Sequence, residues 1–438
     1  MGKSINRLVL PVVAVMVSLG LAVAPAPGWS GKAVAAEDQQ QRPKKRTRKV
    51  ETLSQKAYKK LEKAQETLQA EDYPATLKAV DEILNRPRGY KAYDLAMAHQ
   101  LKGYVYSSQE KYGLAVKEFE ELLRIGGDKI PEGVINSTLY NMSQLYMATE
   151  NFKKGVETLK RWFKIAINPS PDAHILMAQG YAQMDQYKQA VPWVEKAISL
   201  VKAKGKTPRE NWYQLLLALR FELKDYPQAA KVLETLLSLY PSRNYWLQLS
   251  AIYGELGREL DQLAAMRAAY QQGLLYKNSE LVNLAQLFLY HGVPINAAKV
   301  MKKGLDSGRI ESTKNNWELL ANSYINAQEI SRSIAPLRKA ASLSKDGELY
   351  VRLGQAFMEQ EKWGKAAQAF SMALKKGKLR RPGTAYLLSG MARYHQKQFK
   401  AARAAFKKAA SFKKTAKTGK QWLKFLAQEE RKHKLRRQ

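Results

Sequence analysis

The chain has 438 residues, of which 45% are apolar and 26% charged, so it can bury a core and is not disordered as a whole. It contains no cysteine, which excludes disulfides, thiolate metal sites, a cysteine nucleophile and lipid attachment to cysteine. The formal net charge of +34 indicates an acidic partner, whether nucleic acid, anionic lipid, cell-wall polymer or an acidic protein.

Residues 1–36 have the pattern of an export signal. Lys3 and Arg7 precede an apolar run over residues 8–24, and small residues then lead to an A-x-A cleavage motif ending at Ala35 or Ala36. The run is near the shortest length that spans a bilayer, so retention as a membrane anchor stays open. Either outcome exports the rest of the chain, which predicts a periplasmic protein in a bacterium and argues against nucleic acid as the partner. Residues 37–56 are predicted to be a basic linker.

Beyond this linker, apolar residues recur with a helical period in segments about 35 residues apart, without strand-like alternation. In the clearest segment, small Gly103 and Ala115 are interspersed with large Tyr106, Tyr112 and Phe119. Two later segments repeat the spacing: Gly354, Phe357, Trp363, Ala366 and Phe370, then Gly390, Phe399, Ala402 and Phe406. The pattern resembles the tetratricopeptide repeat, a helix pair that buries its apolar face against neighbouring pairs.

The resemblance implies an all-α tetratricopeptide-repeat solenoid of about ten helix pairs over residues 57–412. The small residues would let the two helices of a pair approach closely, and the large ones would fill the seam between them. Residues 413–438 are predicted to form a capping helix and a basic tail. In that helix Trp422, Phe425 and Leu426 fall on one side, and the tail begins at Arg431.

The positive charge is concentrated at the C-terminal end. Residues 375–438 contain 21 lysines and arginines against two acids, Glu429 and Glu430. A charge run of this kind is often only a solvated face, but self-repulsion on this scale is relieved by an acidic partner. We therefore predict that an anionic surface is contacted by Lys413, Lys414, Lys417 and Lys420.

Amide side chains dominate the positions that would line the inner side of the solenoid. Each amide offers both a donor and an acceptor, so a column of them can pair with the backbone of an extended peptide. The alternative to peptide binding is that these amides are simply the solvated polar side chains of an exposed helix. The predicted protein-binding residues are Asn141, Gln144, Gln179, Gln248, Asn283, Gln286, Asn322, Asn326 and Gln355, and the same positions in other repeats hold Gln100, Tyr104, Gln183 and Gln214.

No catalytic or cofactor motif is present. The sequence lacks a phosphate-binding glycine loop, a serine-hydrolase elbow, a zinc-protease motif and a dinucleotide fingerprint, and its five histidines lack metal-ligand spacing. We therefore predict a protein that is not an enzyme and has no catalytic residue, cofactor or metal.

Three stretches carry a closer resemblance. They are residues 225–230 (DYPQAA), residues 245–257 (YWLQLSAIYGELG) and residues 288–305 (FLYHGVPINAAKVMKKGL). They are similar to exported tetratricopeptide proteins encoded beside TonB, ExbB and ExbD genes in Gram-negative bacteria. The resemblance implies a periplasmic scaffold that binds proteins of a TonB-dependent outer-membrane transport system. The alternative function is an envelope adaptor that binds anionic polymer or lipid headgroups through the basic C-terminal region.

Overall fold

The computed structural model describes residues 52–126 and 129–435, with side chains to residue 431. The predicted export signal and most of the predicted basic linker lie outside these residues. The described residues divide into two compact units, with the boundary between Val232 and Leu233. Within the described residues no helix is both long and apolar enough to cross a bilayer.

The first unit is built from consecutive helix pairs. Its helices are α1 (Gln55–Gln69), α2 (Tyr73–Leu84), α3 (Ala92–Ser108), α4 (Tyr112–Ile125), α5 (Glu132–Ala148), α6 (Phe152–Ile165), α7 (Pro171–Gln183), α8 (Tyr187–Lys202) and α9 (Glu210–Glu222), and a 3-10 turn lies at Pro87–Gly89. The boundary between the units falls within α10 (Tyr226–Leu239).

The second unit continues with the same alternation of first and second helices. Its helices are α11 (Arg243–Glu255), α12 (Glu259–Gln271), α13 (Asn278–Tyr290), α14 (Pro294–Asp306), α15 (Lys314–Asn326), α16 (Ile330–Leu343), α17 (Glu348–Glu359), α18 (Trp363–Lys376), α19 (Pro382–His395), α20 (Phe399–Ala410) and α21 (Ala416–Leu435). The described residues contain no strand. The prediction of an all-α tetratricopeptide-repeat solenoid with ten helix pairs and a C-terminal capping helix is confirmed.

The same three-residue turn joins the two helices of every pair. In the second pair, Glu110 takes a left-handed conformation (φ 59°), and the amide of Lys111 donates to the carbonyl of Tyr106 at 2.8 Å. This arrangement satisfies the last carbonyls of the first helix. The left-handed position is occupied in chain order by Glu71, Glu110, Glu150, Asp185, Lys224, Gly257, Gly292, Gln328, Glu361 and Lys397.

A glycine facing a phenylalanine forms the seam in the three clearest repeats. A Cβ at Gly103 would lie 2.5 Å from the ring of Phe119, so only glycine lets the first helix approach the second. The same close approach joins Gly354 to Phe370, and Gly390 to Phe406. All three rings are almost completely buried. The predicted small seam residues Ala115, Ala366 and Ala402 are fully buried as well.

Helix α21 covers the last repeat. The indole of Trp422 stacks on the ring of Phe406 at 5.2 Å, and Leu426 is fully buried in the same cluster. Phe425 keeps 40% of its surface exposed while its ring contacts Tyr394. The helix continues to Leu435, so it includes the first five residues of the predicted basic tail.

Candidate protein-binding face

In the second unit, the first helices α13, α15 and α17 carry exposed polar side chains. On α13 they include Ser279, Asn283, Gln286 and Tyr290, whose spacing of three to four residues places them on one side of a helix. Tyr290 is 70% exposed, and its hydroxyl donates to Glu259 at 3.1 Å. We call the predicted amides on α13, α15 and α17 the amide face: Asn283, Gln286, Asn322, Asn326 and Gln355.

The first helices that carry the amide face are tied to one another by side-chain hydrogen bonds. Between α13 and α15, the Nδ2 group of Asn316 donates to the Oδ1 atom of Asn278 at 3.3 Å. Between α15 and α17, the guanidinium of Arg352 donates to the carbonyl oxygen of Asn322 and to the carboxylate of Glu318, the latter at 3.1 Å. These bonds place α13, α15 and α17 side by side.

Arg352 changes what Asn322 can offer to a ligand. Because a guanidinium is only a donor, it fixes the Asn322 carbonyl oxygen toward itself and leaves the Asn322 amide nitrogen as a donor. Glu318 is also held by Lys314, at 3.3 Å. Sequence reasoning missed Arg352. The sequence pointed to Arg352 only through its position, because it occupies in α17 the place that Asn283 occupies in α13.

Four amides of the face remain available. Asn283, Gln286, Asn326 and Gln355 are exposed, and no side-chain hydrogen bond uses them among the described residues. On α11, Gln248 lies half-buried, and its Oε1 atom is buried without a hydrogen-bond partner in the described part of the chain. The face on α13, α15 and α17 can therefore offer four complete amides and one amide donor to an extended segment.

The predicted amides of the first unit are placed differently. Gln100 is buried and donates to Ser137 at 3.3 Å, and Asn141 donates to the hydroxyl of Tyr104 at 3.3 Å. These bonds link α3 to α5, and burial raises the pKa of Tyr104. Their polar atoms thus hold consecutive repeats together. Gln144 and Gln179 are half-buried, while Gln183 and Gln214 are exposed.

The four lysines predicted to contact an anionic surface lie where α20 turns into α21. Lys413 and Lys414 are in the turn, and Lys417 and Lys420 are in the first turns of α21. All four are exposed, and their ammonium groups have no hydrogen-bond or ion-pair partner among the described residues.

In the described residues, no group of three or more potential ligands is placed to hold a metal ion. Several ion pairs there join neighbouring helices. Lys102, for example, contacts Asp81 at 2.8 Å and Glu118 at 3.6 Å. Pairs of this kind connect successive helices, which is a structural role.

Two parts of the chain match family models described as tetratricopeptide repeat. One match covers residues 96–125, which contain the Gly103–Phe119 seam, and the other covers residues 351–417, which contain the last two seams. No curated protein is significantly similar to the chain. The chain therefore contains tetratricopeptide repeats over these two ranges.

Several solved structures are similar to the chain. A tetratricopeptide repeat protein from Parabacteroides merdae is 14% identical over 77% of this chain and 99% of its own, with a TM-score of 0.34. The TPR2AB domain of yeast Sti1 in its pHSP90 complex is 14% identical over 62% of this chain and 99% of its own, with a TM-score of 0.33. YrrB, a TPR protein with an unusual peptide-binding site, is 12% identical over 45% of this chain and 100% of its own, with a TM-score of 0.34. Identities this low transfer no ligand to this chain.

Proposed function

We propose that this protein is a non-enzymatic scaffold that binds an extended segment of a partner protein on its amide face. The observation that carries the proposal is a set of four exposed amides, which have no side-chain partner in the described part of the chain and lie on three first helices that hydrogen bonds place side by side. Amide groups pair with any peptide backbone through both a donor and an acceptor, so such a face selects an extended conformation more than a side-chain sequence.

The size of the bound segment follows from the helix spacing. Packed helices lie about 8–10 Å apart, so the distance from α13 to α17 is about 20 Å. An extended chain covers about 3.3–3.6 Å per residue, and a segment of about six residues therefore crosses the three helices. Each backbone group that loses water there gains an amide partner, and leaving one unpaired costs about 1–3 kcal/mol.

The partner and location in this proposal come from the resemblance of residues 225–230, 245–257 and 288–305. The scaffold works in the periplasm as an accessory of a TonB-dependent outer-membrane transport system, with TonB-, ExbB- or ExbD-type proteins as partners. A proline-rich stretch in the periplasmic part of a TonB-like protein suits the amide face, because a polyproline II segment is already extended and loses little entropy on binding.

The experiment compares two quadruple alanine variants. The first replaces Asn283, Gln286, Asn326 and Gln355; the matched control replaces the exposed amides Gln271, Gln368, Gln421 and Gln428 of the same unit, which lie on other helix faces. Both should keep the wild-type melting temperature, because exposed substitutions usually change stability by less than about 0.5 kcal/mol. Only the first should weaken binding of a TonB-like periplasmic segment, by at least about tenfold, equivalent to about 1.4 kcal/mol.

Equal affinity of the two variants would place the binding site elsewhere on the protein. The location has its own test, a fusion of residues 1–56 to a reporter enzyme that is active only after export. An inactive reporter would contradict the periplasmic part of the proposal and leave the amide face untouched.

A further inference from the structure

The turns that join successive repeats at the end of the second unit lie against one another. The amide of Gly347, between α16 and α17, donates to the carbonyl of Gly377, between α18 and α19, at 3.0 Å. The ring of Phe412, between α20 and α21, stacks on Tyr386 of α19 at 6.0 Å. Residues 344–347, 377–383 and 411–415 thus form one continuous edge of this unit.

This edge is strongly basic. We call its exposed basic residues the basic edge: Lys345, Lys375, Lys378, Arg380, Arg381, Lys413 and Lys414. None of their side-chain cations has a hydrogen-bond or ion-pair partner among the described residues. The two acids at the edge are occupied by backbone groups, since Asp346 accepts from the amide of Glu348 at 3.0 Å and Glu348 accepts from the amide of Arg380. With these seven cations and Lys376 against the two carboxylates, the edge has a net charge of +6.

Cations at such an edge could have a structural role in stabilising helix C-termini, but here a residue outside the basic edge has that role. Positive side chains near helix C-termini stabilise the last carbonyl groups. At this edge Lys376 does so, because its Nζ atom donates to the carbonyl of Ala341 at 3.0 Å, near the end of α16. The seven residues of the basic edge point into solvent instead, so their mutual repulsion is a cost that an anionic ligand relieves.

Two exposed apolar side chains lie close to the same edge. Leu343, the last residue of α16, is 44% exposed, and Met372, one turn before the end of α18, is 50% exposed. Cations beside exposed apolar side chains suit the interface of a bilayer, where headgroups attract the cations and the acyl boundary receives the apolar groups. A soluble polyanion would use only the cations.

From this geometry we propose that the basic edge, with Leu343 and Met372, binds an anionic lipid surface through the phosphate-bearing headgroups. The proposal goes beyond the scaffold function and does not depend on it. The sequence analysis predicted an anionic contact at Lys413 and Lys414, and the proposal extends this contact to the turns at residues 344–347 and 377–383. The membrane would then hold the end of the second unit while the amide face of its first helices stays available to a protein.

The test is sedimentation of the full chain with vesicles of phosphatidylcholine alone and of phosphatidylcholine with about one third phosphatidylglycerol. The test variant replaces Lys375, Lys378, Lys413 and Lys414 with glutamate. The matched control makes the same substitution at Lys117, Lys153, Lys164 and Lys188, which are exposed and unpaired in the described part of the first unit. The two variants have the same net charge, so they differ only in where the charge is placed.

We expect wild type and control to bind the anionic vesicles, and the test variant to bind at least about tenfold more weakly, because four attractive charges at the surface become repulsive ones. Binding should weaken as salt rises from 0.1 M to 1 M, where the screening length falls from about 10 Å to about 3 Å. Equal losses in the two variants, or equal binding to neutral vesicles, would overturn the proposal.

A second variant, Leu343→Gln with Met372→Gln, separates a bilayer from a soluble polyanion. On a bilayer it should lower vesicle binding by at least about threefold, because its apolar groups no longer enter the acyl boundary. Its binding to inorganic polyphosphate should equal that of the wild type. If vesicle binding also stays unchanged, the edge recognises phosphate alone, and the lipid assignment is wrong. Circular dichroism of every variant checks that the helices remain folded.

Discussion

Replacing Gly354 with alanine would place a methyl group against the ring of Phe370, at the seam between α17 and α18. The added Cβ would lie 2.5, 2.7 and 2.8 Å from three ring carbons, whereas carbon atoms in contact normally lie about 3.5–4.0 Å apart. Because the ring is fully buried, it cannot move into solvent. The ring or the helix must therefore shift by about 1 Å.

Two opposing effects set the size of the change. Alanine in place of a glycine inside a helix stabilises by about 0.8–1 kcal/mol. Forcing an extra carbon into a packed core costs about 1–3 kcal/mol. The difference is a net destabilisation of up to about 2 kcal/mol, with a central value near 1 kcal/mol, which lowers the melting temperature by about 2–4 °C for a unit of this size.

Thermal unfolding followed by circular dichroism measures this loss. Gly113→Ala is the control, because Gly113 is an exposed helical glycine whose added Cβ would meet nothing within 4 Å, and it should not destabilise. Phe370→Leu removes the ring, so the double variant should lose less stability than the two single variants added together. If Gly354→Ala were as harmless as Gly113→Ala, the close seam would be absent and the steric argument wrong.

Three further substitutions test other parts of the fold. Lys397→Gly should stabilise the protein by about 1 kcal/mol in urea unfolding, because Lys397 has a φ of 61°, while Gly292→Ala at the same turn position should destabilise it similarly. Burial lowers the pKa of His174 below 6.5, so its contribution to stability is complete above about pH 6.5 and falls as the pH drops toward the folded-state pKa. His174→Gln should flatten that part of the stability–pH curve. Trp422→Ala should remove about 2–3 kcal/mol locally and speed hydrogen exchange in α20 and α21, with no change in α11.

The seams of the repeats could be predicted from the sequence because their cause is local. Gly103 and Phe119 are one helical hairpin apart, and the steric need for a small residue opposite a large one gives a fixed spacing. The spacing recurs, so each clear repeat supports the register of the weaker ones. The helix that covers the last repeat was predictable for a similar reason, since Trp422 and Leu426 are one turn apart.

The turns within the pairs could not be predicted in the same way. Sequence reasoning expects glycine or asparagine at a left-handed position after a helix. Here only Gly257 and Gly292 meet that expectation, and the other eight turns use charged or amide side chains such as Glu110. These residues adopt the left-handed conformation because the packing of the two helices fixes the turn.

The candidate site was predicted only in part, because its chemistry depends on contacts between repeats. Asn322 was identified from its position, but Arg352, which takes its carbonyl oxygen, is 30 residues away. Gln100 was assigned to the same inner side in the first unit, yet it is buried against Ser137, 37 residues away. Residue position identifies which side chains share a face, whereas their availability depends on the neighbouring repeat.

The residues that specify the fold are therefore different from those that could specify a partner. The seam glycines and phenylalanines recur because every helix pair meets the same steric constraint, so they say nothing about ligands. The position of Asn283 carries no such constraint, and the equivalent residues on α11 and α17 are Gln248 and Arg352. Partner specificity must reside in positions that vary in this way. On α13, α15 and α17 they combine exposed amides with one fixed guanidinium, which suits the neutral extended segment proposed above, whereas the charge of the basic edge suits the proposed anionic surface.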